Sequence, residues 1–162
     1  YLKSKGLRVY ELDFNVEYVL SQSFNLICIK DGFYDSALLI KSHNEKILNL
    51  NDCEVNSLKR ARDVFLISNN IDVLLTQFSY AAWKGGKENI KWRRDSAREK
   101  VNTILLQMEI FKPSFVIPFA SFIYFSNIEN FYLNEDINKP DAVRTNPLTS
   151  NVYDGALFPI PT

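Results

Sequence analysis

The sequence predicts a layered α/β domain, and three observations carry the prediction. Strand-like apolar runs fill the first third of the chain, and from Asn51 onward such runs alternate with two helical patterns, the order that stacks helices on a sheet. Apolar residues make up 46% and aromatics 14% of the 162 residues, including 12 Phe and 8 Tyr, enough for one domain with a sizeable core. No repeat or low-complexity tract interrupts the pattern.

Taken in order, LRVYELD (7–13) and EYVLSQSFNLICIK (17–30) have the β-branched and aromatic bias of strands. ALLIKS (37–42) and ILNLN (47–51) flank the polar stretch HNEK and read as a hairpin with a four-residue turn. In NSLKRARDVFLISNN, Leu58, Ala61, Val64 and Phe65 fall at helical spacing and Asn69–Asn70 supplies the stop. IDVLLTQFS (71–79) is a continuous apolar run, the mark of a strand covered on both faces. YAAWKGGKENIKW is a loop rich in Gly and aromatics. A second helix is predicted from about Arg93 to Phe111, with Ala97, Val101, Ile104, Leu105, Met108 and Ile110 on its apolar side; Pro113 ends it. SFVIPFASF is the next buried strand, SNIENFYLNEDINKP has room for a short helix, and NVYDGALFPIP closes as a strand and turn.

Charge and composition exclude several classes of function. Lys plus Arg and Asp plus Glu both number 19, so the chain lacks the basic footprint of a general nucleic-acid binder. The basic stretch KWRRDSAREK is interspersed with acids and reads as a solvated helix face. Cys28 and Cys53 are too few for a disulfide framework and lack zinc-type spacing. No run approaches 18 apolar residues and the first residues do not form a signal peptide, so neither a membrane span nor export is expected and a cytoplasmic location is. Tyr1 is not Met, and GALFPIPT stops within strand-like sequence. Both ends look cut, as in a fragment of a longer chain.

In layered α/β sheets, sites collect at the carboxyl ends of the strands. Three predicted strand ends are polar: Asn51–Cys53, Thr76–Ser79 and Pro118–Phe122. Parallel neighbours would bring them to one rim, where Asp52 would be the carboxylate. A carboxylate fixed by a strand can ligate zinc or iron; Asp52 also precedes a helix and could cap it. Gln77, Ser79 and Ser121 are polar rim candidates, and Glu129 and Asn130 follow the PFASF strand as loop or rim groups. His43, the single histidine, lies in the polar turn and reads as a surface residue. WKGGKE lacks Walker spacing, and there is no Gly-x-Ser-x-Gly elbow.

DSALLIKSHNEKILNLNDCEVN resembles the metallo-β-lactamase segment in which a hairpin ends in a metal-bridging aspartate. With DVLLTQFSYAAW and IPFASF in this order, the stretch from Asp35 to Asn138 is similar to the CMP-N-acetylneuraminate hydroxylase-like family. The resemblance implies the second half of an αββα sandwich, a mixed sheet with flanking helices, within a larger domain. It implies Asp52 as a metal ligand, with zinc or iron bound in the full-length protein. The His-x-His-x-Asp-His motif of such domains is absent, and Phe119–Ala120 stand where ordinary members place a histidine. The expected function is therefore part of a metal-dependent hydrolase, inactive by itself, acting on a small molecule. Its expected partner is the missing half of the polypeptide or a second copy. The alternatives are part of an oxygenase acting on a nucleotide sugar, or a degenerate binding or assembly domain.

Overall fold

A computed structural model describes residues 1–120 and 123–139. Six strands form one sheet in sequential order: β1 (Glu17–Ser21), β2 (Phe24–Asp31), β3 (Asp35–Ser42), β4 (Glu45–Asn51), β5 (Val73–Gln77) and β6 (Phe115–Phe119). The pairs β1–β2, β2–β3 and β3–β4 are antiparallel, whereas β4–β5 and β5–β6 are parallel. The change of sense follows from the connections. Turns of two or three residues can only reverse a strand, while α1 (Leu58–Ser68) and α2 (Ile90–Phe111) carry the chain back to start parallel neighbours.

Alternation along the strands divides the sheet into two unlike faces. Ile27 pairs with Leu39, Leu39 with Leu48, Leu48 with Leu74, and Leu74 with Val116. All five are buried, and they form one core with Ala61 and Val64 of α1 and Ile104 and Phe111 of α2. Both helices therefore cover the same face. The other face carries Leu26, Ile40, Ile47, Val73 and Phe115, which are only partly buried. The expectation that the fifth strand is covered on both faces thus fails: Leu74 and Thr76 are buried under the helices, and Val73 and Leu75 on the other face are only partly buried.

Several boundaries differ from those read in the sequence. Residues 7–13 form no strand, because residues 17–21 occupy the edge of β2 instead. The stretch 17–30 is not one strand but a hairpin turning at Gln22–Ser23, and the Ser23 carbonyl accepts from the His43 amide at 3.0 Å, a long-range prop that local sequence does not signal. The β3–β4 turn has two residues, His43 and Asn44, rather than four; His43 takes φ 54°, in the left-handed region. A 3-10 helix at Phe131–Glu135 fulfils the short-helix expectation. NVYDGALFPIP and Ser121 lie outside the described residues.

Helix α2 starts at Ile90, three residues early, and its buried stripe includes Arg93, Ser96, Ala97, Ile104, Gln107 and Phe111. That stripe is rotated from the apolar one read in the sequence, because polar side chains on it find partners. Arg93 donates to Asp136 Oδ2 at 2.8 Å and to the Gly86 carbonyl at 2.7 Å. The basic stretch is thus only partly a solvated face: Lys91 is exposed, but Arg93 is 1% exposed. Among the described residues no helix is long and apolar enough to cross a membrane.

Candidate functional site

The parallel arrangement of β4, β5 and β6 puts their carboxyl ends on one rim, as the polar strand ends predict. A cleft of about 300 Å³ opens there, lined by Asp52, Glu54, Gln77, Tyr80, Ala81, Ala82, Lys84 and Lys100. Asp52 and Gln77, residues 25 apart in sequence, meet in it. Glu54 is a second carboxylate that sequence reading did not place at the rim.

Asp52 does not cap α1. Ser57 is the N-cap, and its hydroxyl accepts from the Arg60 amide at 3.3 Å. Between strand and cap lies a loop, entered by a turn at Asn51 with φ 51°. The Asn49 amide oxygen accepts from the Asn51 amide at 3.0 Å, beside an irregularity in the β4–β5 register. Asp52 is left exposed on this loop.

Two buried partners fix the loop from below. Asp31 at the end of β2 accepts from the Glu54 amide at 2.7 Å and pairs with Arg60 at 2.8 Å. Gln107 of α2 donates to the Val55 carbonyl at 3.0 Å and accepts from the Thr76 hydroxyl at 2.7 Å. One glutamine thus joins α2, β5 and the Asp52 loop. Cys53 points into the core, where burial, followed by the charges of Asp31, Asp35 and Asp52, pushes its thiol up to about 12. It packs as a neutral thiol rather than serving as a nucleophile.

Lys100 forms the floor on the α2 side. Its Nζ donates to Gln77 Oε1. Burial lowers its pKa and nearby Lys84 adds to the effect, against the opposing pull of Glu99, Glu54 and Asp52. The far wall is the loop after β5. Tyr80 is buried, donates to the Leu133 carbonyl at 2.8 Å, and has its phenol pushed up to about 12 by burial and by Asp136. Asn138 holds this wall: its side chain donates to the carbonyls of Phe78 and Ala97, and its backbone amide donates to Ser79 Oγ.

The remaining expected rim groups lie elsewhere. Ser79 is fully buried behind the wall. Glu129 and Asn130 precede the 3-10 helix and do not line the cleft; the buried Asn130 Oδ1 has no hydrogen-bond partner. His43 sits at the opposite end of β4, roughly 20 Å away by strand rise. Among the described residues no group of three or more His, Cys, Asp or Glu could hold a metal ion. These residues therefore do not by themselves fit a metal centre. A larger hollow of about 760 Å³ lies beside residues 31–35. Of its charged lining residues Asp31 and Arg60 pair with each other. Lys30, Asp35 and Glu54, the last shared with the smaller cleft, form no ion pair among the described residues. The hollow lies at the end of β2 and not at the rim of the parallel strands.

No family model and no curated protein matches the chain. Solved structures do. The crystal structure of CmlA, a diiron beta-hydroxylase from Streptomyces venezuelae, matches at TM-score 0.57 and 13% identity, over 85% of this chain and 31% of that one. A mutant of CmlA beta-hydroxylase matches at TM-score 0.52 and 15% identity, over 85% and 30%. The chain has a metallo-β-lactamase-like fold. At such identities the likeness carries the metallo-β-lactamase-like fold alone, and not the narrower CMP-N-acetylneuraminate hydroxylase-like family. The chain spans less than a third of the length of these structures.

Proposed function

We propose that this chain is the sheet-and-helix part of an oxygenase-type metalloenzyme with a metallo-β-lactamase-like fold, and that its rim cleft forms one wall of the reaction site. The observation that carries the proposal is Asp52, freed from capping by Ser57 and presented at the shared end of parallel strands, in a fold similar to that of a diiron hydroxylase. Asp52 would supply one carboxylate to a centre whose other donors come from the rest of the polypeptide. Oxygen donors such as Asp52 and its neighbour Glu54 suit iron, and zinc draws no support from the similar structures. The hydrolytic reading has none from them either. A nucleotide-sugar substrate rests on sequence resemblance and belongs to this proposal as its narrowest form.

The chain's own residues have definable tasks here. Gln107 and Asp31 hold the Asp52 loop in register, Tyr80 and Ala81 line the far side, and Lys100 orients the Gln77 amide. Metal analysis of the natural polypeptide containing this chain tests the reading. Iron is expected in stoichiometric amount, reduced at least roughly tenfold in affinity by Asp52→Asn, as for loss of a ligand or its support. Metal-free protein, or unchanged iron in Asp52→Asn, overturns it in favour of a binding or assembly domain.

A further inference from the structure

Among the described residues the most deeply buried charges are matched. Arg93 and Asp136 are 1% and 8% exposed and pair at 2.8 Å, and Asp31, 7% exposed, pairs with Arg60 at 2.8 Å. The rim cleft gathers charges that are less buried and not directly paired: Asp52 and Glu54 are exposed, Lys84 and Lys100 half-buried. Two ammonium groups, Lys84 and Lys100, and two carboxylates, Asp52 and Glu54, line one space of about 300 Å³. None of the four forms an ion pair among the described residues. Lys100 instead meets the neutral Gln77 amide oxygen, and Lys84 lies over the Trp92 ring at 5.9 Å from its centroid.

Lys100 is also placed where solubility does not call for a lysine. It falls three residues after Ala97 and four before Ile104, on the inward side of α2, whereas Lys91 and Arg98 on the outer side are 89% and 73% exposed. A half-buried ammonium that touches no carboxylate, with Glu99, Glu54 and Asp52 offsetting its burial only in part, gains from an anion that meets it directly. Separated charges of both signs in one cleft suit a cation held at the carboxylates and an anion held at the lysines.

We infer that the cleft receives an anionic oxygen group, carboxylate or phosphate, between Lys84 and Lys100. The group belongs to the substrate if the rim is the reaction site, and in that respect alone the inference rests on the proposed function. Charge-assisted hydrogen bonds from the two ammonium groups would hold it. The exposed Trp83 and Trp92, in edge-to-face contact at 5.7 Å, border Lys84 and would sense its movement.

Those are the only two tryptophans in the chain, so their fluorescence reports on this corner. The experiment titrates the full chain, metal-free, with inorganic phosphate and separately with malonate, against sodium chloride of matched ionic strength. A saturable change with either anion is expected, and the anion that gives it identifies a phosphate or a carboxylate as the group received. Lys100→Met should weaken the binding by roughly tenfold or more, the loss of one charge-assisted bond. Lys84→Met, on a loop, should do the same if Lys100→Met folds poorly. Saturation with neither anion, or binding that survives both substitutions, overturns the inference. Anion binding without iron binding would sink the metal reading alone; iron binding without anion binding would sink this one alone.

Discussion

Lys100 sits on the inward side of α2 with its ammonium against a neutral amide, and burial lowers its pKa from the ordinary 10.5. The folded state therefore holds this proton less tightly than the unfolded chain does. The sign is destabilising at neutral pH, and the cost fades as pH rises past the folded pKa towards 10.5. Lys100→Met keeps an unbranched side chain one atom shorter and removes the charge. It should raise stability in urea by about 0.5–1 kcal/mol, as substitutions that relieve a functional compromise do, and should flatten the alkaline rise. A less stable variant would show that Lys100 is structural. Sequence reading missed Lys100 because its position is meaningful only once β5 supplies Gln77. Asp52 was visible as a polar strand end, but its freedom depended on Ser57 taking the cap, which the sequence left open.

At the scale of elements, the start of α2 and the segment from Phe131 to Asn138 lock each other. Arg93 and Arg94 both donate to Asp136, Tyr132 stacks under Arg93 with 5.1 Å from guanidinium carbon to ring centroid, and its hydroxyl donates to the Gly85 carbonyl. Burial alone would raise the Asp136 pKa, but the two guanidiniums outweigh it and hold it below the ordinary 3.8. A depressed carboxylate contributes stability that is complete above its unfolded value and is lost as pH falls through the folded one. Asp136→Asn should cost about 3 kcal/mol at neutral pH by stranding a buried arginine. Its stability should then change less than wild type below pH 3.8, a difference that urea unfolding across that range would reveal. The elements themselves were largely legible, since β3, β4, α1, β5 and β6 all lie where periodicity put them. What failed were the start of α2 and its inward face, because Arg93, Ser96 and Gln107 look like surface residues until Asp136, Thr76 and Val55 are beside them.

For the molecule as a whole, the unlike faces of the sheet matter most. The helix-covered face is sealed, whereas Leu26, Ile40, Ile47, Val73 and Phe115 on the other remain partly exposed. In a sandwich that face belongs against a second sheet, which we propose comes from the rest of the polypeptide. The isolated chain should therefore self-associate with rising concentration in sedimentation and bind an apolar dye, as exposed apolar patches do. A monomer at high concentration that leaves the dye dark would count against it. The alternating strand and helix order made the layered class readable from sequence, but charge and composition said nothing of which face lies open, since both carry the same kinds of residue.

The sequential strand order has a consequence for how the molecule assembles. Every strand pairs with the one made just before it, so a chain leaving the ribosome can add each strand to a sheet already standing, through short turns up to β4 and through helical connections after it. The antiparallel hairpins and Asp52 come early in that sequence. Lys100 comes much later in the chain, on α2, after β5 has been made. The cleft thus acquires its carboxylates before its lysines, and a chain halted before α2 would display Asp52 and Glu54 without Lys100.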